Sequence, residues 1–323
     1  MKVTVLQQNI LWAAPKENVI RADEAIDRNP GADLYILPEM FSTGFCTNPE
    51  GIAETTDSDT LKWMKAVAAE KGAAIAGSVA VTDGENFFNR FYFVKPDGSV
   101  THYDKKHLFT YGGEHHRFTP GEERVVVEWR GVRILLEICY DLRCPVWARN
   151  RGDYDMILYV ASWPTPRVGA WSALLVARAI ENQCYVVGVN RVGDDPTCHY
   201  NGGSCVIDPW GESIAVCEYG KEDVAIESMH IAKQGEEAKI ISVQDGIRGE
   251  LTMPENFQDV VILKATGIPT YHFAHAVDDY LMRTTHVVRG EEWLASLPIH
   301  VELFEKLNFK MPIYCHTAVL MKI

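Results

Sequence analysis

Ile134-Leu-Leu-Glu-Ile-Cys-Tyr-Asp-Leu-Arg-Cys-Pro-Val-Trp147 is an apolar run that stops at a thiol. Residues 132–138, VRILLEI, read as a buried strand. Polar and turn-prone residues follow at Tyr140, Asp141, Arg143 and Pro145. Cys139 is therefore predicted at the C-terminal end of a strand, where the chain turns toward a helix beginning near Pro145. The positive end of that helix, with Arg143 and any nearby lysine, is expected to lower the thiol pKa toward the reactive range. A free cysteine also packs as a small hydrophobe, so this run alone leaves both readings open.

Two other stretches have the same design. Leu34-Tyr-Ile-Leu-Pro-Glu-Met-Phe-Ser-Thr-Gly-Phe45 runs an apolar strand into a turn and delivers Glu39 there. Val100-Thr-His-Tyr-Asp-Lys-Lys-His-Leu-Phe109 follows the hairpin-type turn Pro96-Asp97-Gly98 and delivers Lys105 and Lys106. Active groups collect beyond strand ends. A nucleophile, a base and a cation placed this way form the set that acyl transfer needs.

LPEMFSTGF, YDKKHLF and ICYDLRCP, in that order, resemble the glutamate, lysine and cysteine motifs of the nitrilase superfamily of carbon-nitrogen hydrolases. ASWPTPRVGAW, ARAIENQCYVVGVNRVG and GGSCVIDPWGE are most similar to its omega-amidase branch. The resemblance covers residues 1–227. It implies a four-layer α-β-β-α sandwich with Glu39, Lys105 and Cys139 as the catalytic triad. Lys105 matches the motif lysine better than Lys106, and strand alternation lets only one of the two face the pocket. The resemblance also implies a second active-site acid at Glu114 and a carboxylate-binding role for Arg167, a task that suits the guanidinium fork. Tyr140 and Trp163 are further candidate substrate-binding residues. Trp163 follows the predicted strand 155–161 and reads equally as a core tryptophan. The implied reactants are a small amide, such as an omega-amido acid, and water, with no metal or organic cofactor. The family's C-terminal tail, which helps its sandwich pair into a homodimer, is replaced here.

The remainder of these 227 residues reads as α/β. Helices are predicted over 16–28, behind Pro15, and over 57–71, ending at Gly72. Strands are predicted over 73–81 and 86–94. Strand, helix, strand, helix and then a run of strands suggests mixed sheets with helices outside. Arg178 and Glu181, in the helical WSALLVARAIE, are expected to form a structural ion pair. His115-His116 and the group Cys198-His199 with Cys205 have no metal-ligand spacing. The whole chain has 323 residues and a net charge of −13, which argues against a nonspecific phosphate-binding surface. Its 8 cysteines do not form a disulfide framework. With no signal sequence and no apolar run long enough for a bilayer, the expected setting is cytoplasmic.

From about Ser228 the chain changes character. DGIRGELTMP at 245–254, VVILKATGIPTYHF at 260–273, Asp278-Asp279 and THVVRGEEW at 285–293 resemble the catalytic domain of glutamyl-tRNA synthetases. Residues 228–323 form a partial segment. The family's HIGH motif would lie upstream of it, and its KMSKS-like motif would lie beyond Ile323. Tyr271, His275, Arg289 and Trp293 match positions that line the family's amino-acid pocket. Without the rest of the nucleotide fold, aminoacylation is not expected, and tRNA is a partner only if this segment functions. The apolar stretches VVILKA and HVELFEKL are expected to be surfaces made for absent partners. The segment is expected to be less ordered than the first domain, with a protease-sensitive boundary near 225–245.

Overall fold

Side-chain alternation along the early strands builds the layers of the protein. The computed structural model describes residues 1–229, 240–256, 262 and 268–318, and the chain divides into two compact units, Met1–Ile231 and Ala232–Ile323. The first unit opens with β1 (Lys2–Gln7), α1 (Pro15–Arg28), β2 (Leu34–Ile36), a short β3 (Glu54–Thr55) and α2 (Asp59–Lys71). β4 (Ala74–Thr82), β5 (Phe87–Val94) and β6 (Val100–Asp104) complete its first half. Then come β7 (Val126–Trp129), β8 (Val132–Ile138), α3 (Pro145–Ala148), β9 (Met156–Ala161), α4 (Val168–Asn182) and β10 (Tyr185–Asn190). The ribbon β11 (Val192–Asp194) and β12 (His199–Asn201) precedes β13 (Cys205–Ile207), β14 (Ser213–Val216) and β15 (Asp223–Ser228).

These strands make two mixed sheets, ordered β15-β1-β2-β4-β5-β6, with β3 beside β4, and β14-β13-β10-β9-β8-β7. On the first sheet Val3, Val5, Leu34, Ile36, Ala74, Ala76, Phe91 and Phe93 join a core shared with the second sheet. Their neighbours Leu6, Tyr35, Leu37, Ile75, Tyr92 and Val94 pack instead with Ala22 and Ile26 of α1 and Met64 and Val67 of α2. The period of two thus gives each inner strand one face toward the other sheet and one toward the helices. Trp171, Leu175 and Ala179 of α4 pack with the second sheet, completing the four-layer α-β-β-α sandwich.

Local signals set the helix ends. Pro15 starts α1 with its fixed φ. Ser58 caps α2 by accepting from the Leu61 N–H at 3.2 Å, so this helix starts two residues after the predicted Asp57. Gly72 ends it in the left-handed conformation. The helix predicted near Pro145 is a single turn of four residues, and a 3₁₀ turn over Cys139–Arg143 comes first.

The second unit contains the hairpin β16 (Ile240–Asp245) and β17 (Gly249–Pro254), then α5 (Tyr271–Leu281), β18 (His286–Gly290), α6 (Leu297–Lys306) and β19 (Ile313–Thr317). β18 and β19 are parallel and α6 lies between them in sequence. HVELFEKL is not left as a bare apolar surface. His300, Val301 and Phe304 are buried, and Val301 packs with Val243, Leu297 and Tyr314 of this same unit. VVILKA lies, apart from Ile262, outside the described residues. So does the 230–239 part of the predicted protease-sensitive boundary.

A chain of imidazoles crosses this unit. Arg289 donates from Nε to His316 Nε2 at 2.9 Å and from Nη1 to His300 Nδ1 at 3.1 Å. A guanidinium only donates, so the ring nitrogen that faces it accepts in each case. His316 Nδ1 then donates to Asp245 at 2.6 Å, and His300 Nε2 to His272 Nδ1 at 2.9 Å. Burial, with His275 and Arg289 adding to it, pulls the His300 pKa down to about 3. In the unfolded chain this imidazole takes a proton near pH 6.5, so acid favours unfolding. The contribution to stability is complete above pH 6.5 and falls as pH drops toward 3. Protection factors of the α5 and α6 amides in the full chain, with the intrinsic slowing divided out, are expected to fall as the pH is lowered from 7 to 4. An acid-independent protection factor would contradict it.

Candidate active site

Two of the three strand ends that carry the predicted chemistry turn through unusual backbone. Cys139, the first residue after β8, has φ +46°, and Met40, directly after Glu39, has φ +45°. Left-handed backbone costs a side-chain-bearing residue about 1–2 kcal/mol, so each turn needs holding from outside. At Met40, the N–H is held by Ser78 Oγ at 2.9 Å. At Cys139, Asp141 does the work. It is fully buried and accepts from Ile138 N–H at 3.0 Å, Tyr103 hydroxyl at 2.8 Å and His107 N–H at 2.8 Å.

Glu39, Lys105 and Glu114 meet in a fully buried cluster. Lys105 Nζ lies 2.9 Å from Glu39 Oε1 and 3.0 Å from Glu114 Oε2. Asn89 Nδ2 donates to both acids, at 2.8 Å to Glu39 and 3.2 Å to Glu114. The Ser162 N–H donates to Glu39 Oε2 at 2.7 Å, and the Phe109 N–H to Glu114 Oε2 at 2.6 Å. Lys106 points elsewhere, with its ammonium 5.5 Å from the Trp147 ring centroid. Burial pulls the Lys105 pKa down, but Glu114 and Glu39 outweigh it and raise it, favouring the charged ammonium. Burial, with Glu39 close by, raises the Glu114 pKa.

The Cys139 thiol belongs to the same cluster, and its pKa is the reverse of the expectation. Burial and then the hydrogen-bonded Glu39 carboxylate raise it well above the usual thiol range, with Lys105 opposing them. The predicted lowering depended on a helix dipole and Arg143. The helix is one turn long and begins after the 3₁₀ turn, and Arg143 lies against the Tyr140 and Trp163 rings. A buried thiol beside a carboxylate keeps its proton.

A cavity of about 320 Å³ opens onto Cys139. Tyr140, Trp163 and Arg167 line it, and so does Arg143. The Arg143 guanidinium lies 5.0 Å from the Trp163 ring centroid, and Arg167 lies 5.0 Å from that of Phe109. The Trp163 indole N–H donates to the Arg167 carbonyl at 2.8 Å, so one tryptophan supports both arginines. Among the described residues, no aspartate or glutamate lines the cavity. Neither arginine forms an ion pair among the described residues.

In the second unit, Tyr271 stacks on His275 at 5.7 Å and lies 4.9 Å from Trp293. Arg289 is occupied by His300, His316 and, at 3.3 Å, the Trp293 carbonyl.

Sequence reasoning missed Asn89, Ser162 and Asp141. Asn89 had a readable signal, because it shares the inward face of β5 with Phe91 and Phe93, where a polar side chain needs a buried partner. Ser162 reaches the Glu39 carboxylate through its backbone N–H and the Glu39 carbonyl through its hydroxyl at 3.3 Å, a pairing that no local pattern announces.

Residues 2–236 match the carbon-nitrogen hydrolase family, and residues 219–323 match the catalytic domain of the class I tRNA synthetases for Glu and Gln. The omega-amidase YafV of Escherichia coli K12 is 49% identical over 219 residues, covering 68% of this chain and 85% of that protein. The 2-oxoglutaramate amidase of Bacillus subtilis is 35% identical over 256 residues, covering 77% of this chain and 98% of that protein. A glutamate–tRNA ligase of Acetivibrio thermocellus is 65% identical over 89 residues, which are 28% of this chain but 16% of the ligase. The crystal structure of XC1258 from Xanthomonas campestris, a CN-hydrolase superfamily protein, superposes with a TM-score of 0.69 at 42% identity, covering 72% of this chain and 90% of that one. Among the described residues, no helix is long and apolar enough to cross a membrane. The chain therefore belongs to the carbon-nitrogen hydrolase family and is an amidase, and its C-terminal segment is similar to part of the catalytic domain of glutamate–tRNA ligases.

Proposed function

We propose that the first unit hydrolyses the terminal amide of a small omega-amido acid, of the 2-oxoglutaramate type, through a thioester on Cys139. The observation that carries this reading is the buried Lys105–Glu39 pair at 2.9 Å, with Glu39 hydrogen-bonded to the Cys139 thiol and Cys139 lining the cavity. The thiol is protonated at rest, so a base must take its proton as it attacks, and Glu39 is placed to do so. The sulfur adds to the amide carbonyl. The Lys105 ammonium, with a backbone N–H near Cys139, stabilises the oxyanion, each donor contributing about 3–4 kcal/mol. Glu39 returns the proton to the leaving nitrogen and ammonia departs. Glu39 then activates a water that attacks the thioester, releasing the carboxylate product and restoring the thiol. Glu114 keeps Lys105 charged and aimed. No step uses a metal or organic cofactor.

Arg167, with Arg143 across the cavity, accounts for an acid substrate. Two guanidiniums without carboxylate partners among the described residues favour a ligand that brings its own carboxylate. A panel of amides and nitriles assayed for ammonia tests the reading, with omega-amido acids expected as the best substrates. Arg167→Leu is expected to lower kcat/KM for them about 10- to 100-fold, mainly through KM, since a hydrogen bond to a charged group contributes about 1.5–3 kcal/mol. An unchanged KM would remove Arg167 from the binding site.

A ligase-like reading of the second unit has the family match over residues 219–323 in its favour. The donors of Arg289 are already engaged, which disfavours it. Glutamate-dependent ATP–pyrophosphate exchange would reverse that ranking.

A further inference from the structure

The chemistry described above leaves a set of buried polar groups behind the nucleophile unused. Arg178 of α4 is 3% exposed. It donates from Nη1 to Glu181 at 2.8 Å, the expected ion pair. It also donates from Nη2 to the Leu142 carbonyl at 2.5 Å, inside the Cys139–Arg143 turn. Glu137, two residues before Cys139, is fully buried, and neither carboxylate oxygen has a hydrogen-bond partner among the described residues. Tyr159, its neighbour across the β8–β9 ladder, has an equally unpartnered hydroxyl. Burial, and after it Asp141, pushes the Glu137 carboxyl well above the usual range, against Arg124 and Arg178. Glu137 accepts no hydrogen bond from Arg178, so Nη2 is free to hold the turn.

We propose that Arg178 is a positioning residue for Cys139, pinning the rear of the nucleophile turn through the Leu142 carbonyl as Asp141 pins its front. The proposal rests on Cys139 being the nucleophile. Cys139 holds φ +46°, which an unrestrained cysteine abandons for right-handed backbone. Releasing Leu142 lets the turn relax and swings the sulfur away from Glu39 and Lys105. The bonds to Leu142 and Glu181 come from different nitrogens, so the two roles of Arg178 are separable. Glu181→Gln removes the ion pair and keeps the turn contact. Arg178→Met removes both, and Arg178→Lys keeps a charged donor.

The test uses the full chain and two readouts, the rate of Cys139 alkylation by iodoacetamide and the kcat and KM for amide hydrolysis. Arg178→Met is expected to change the alkylation rate severalfold and to lower kcat at least tenfold with KM within twofold. Arg178→Lys is expected to recover much of both. Glu181→Gln is expected to lower Tm without either kinetic change. If Arg178→Met and Glu181→Gln both lose only Tm, Arg178 is structural and the proposal fails. If the wild type releases no ammonia from any amide, the proposed function fails, and the alkylation rates still decide the positioning role. Should Arg178→Met not fold, Arg178→Lys and Arg178→Gln carry the comparison. Wild-type rates in both would overturn the proposal, and a loss in Arg178→Gln that Arg178→Lys restores would support it.

Discussion

Cys139→Ala is expected to abolish ammonia release, by about 10⁴-fold or more, while leaving the first unit folded. Losing a nucleophile removes the covalent route entirely, and effects of that order follow when one member of a catalytic set is deleted. The fold survives because the thiol is small and Cys139 sits at the rim of the core rather than in its middle, 8% exposed against 0% for Ile138. Alanine also has less side chain to crowd the left-handed backbone. A coupled ammonia assay on purified wild type and variant, with matching thermal melts, checks both halves. Retained hydrolysis in a folded variant would exclude the thioester route.

Lys105→Met should damage both activity and stability. The substitution keeps the apolar stem and removes the charge between Glu39 and Glu114. Two buried carboxylates are then left bridged only by Asn89 and backbone donors. Breaking a buried ion pair on one side costs about 3–5 kcal/mol, because the remaining charge is stranded. Loss of the oxyanion donor lowers kcat by about 10²–10³-fold in addition. The pH dependence has a definite sign. Without the ammonium, the raised Glu114 pKa climbs further above its ordinary 4.5. The folded variant then binds a proton that the unfolded chain has released, so its stability falls as pH rises above that value. Denaturant titrations of the variant at pH 5 and pH 8 are expected to show the lower midpoint at pH 8. A variant as stable as wild type at pH 8 would mean that the cluster carries no net buried charge.

Local pattern and three-dimensional closure contribute differently here. The helices over 15–28 and 59–71 follow from proline, serine and glycine punctuation acting within one turn. The apolar run before Cys139 and the one before Glu39 announced strands, because only a doubly covered strand tolerates such runs. What the residues near Cys139 did not announce was the sign of its pKa shift. That shift comes first from burial, which requires both sheets to be in place, and then from Glu39, a hundred residues earlier in the chain. Arg143 misled for the same reason, since its charge rests on two aromatic rings instead of the thiol.

The order of strands and turns, and the identity of an acid, a lysine and a cysteine at three strand ends, were set by sequence alone, because hydrophobic period and turn chemistry act over a few residues. The meeting of Glu39 with Lys105, Cys139, Asn89 and the Ser162 N–H was decided by tertiary structure, since only strand pairing and sheet stacking bring the ends of β2, β5, β6, β8 and β9 together. The second unit repeats the point. HVELFEKL reads as an uncovered apolar surface until the hairpin and β19 fold against it, and burial belongs to the contact rather than to the residues that make it.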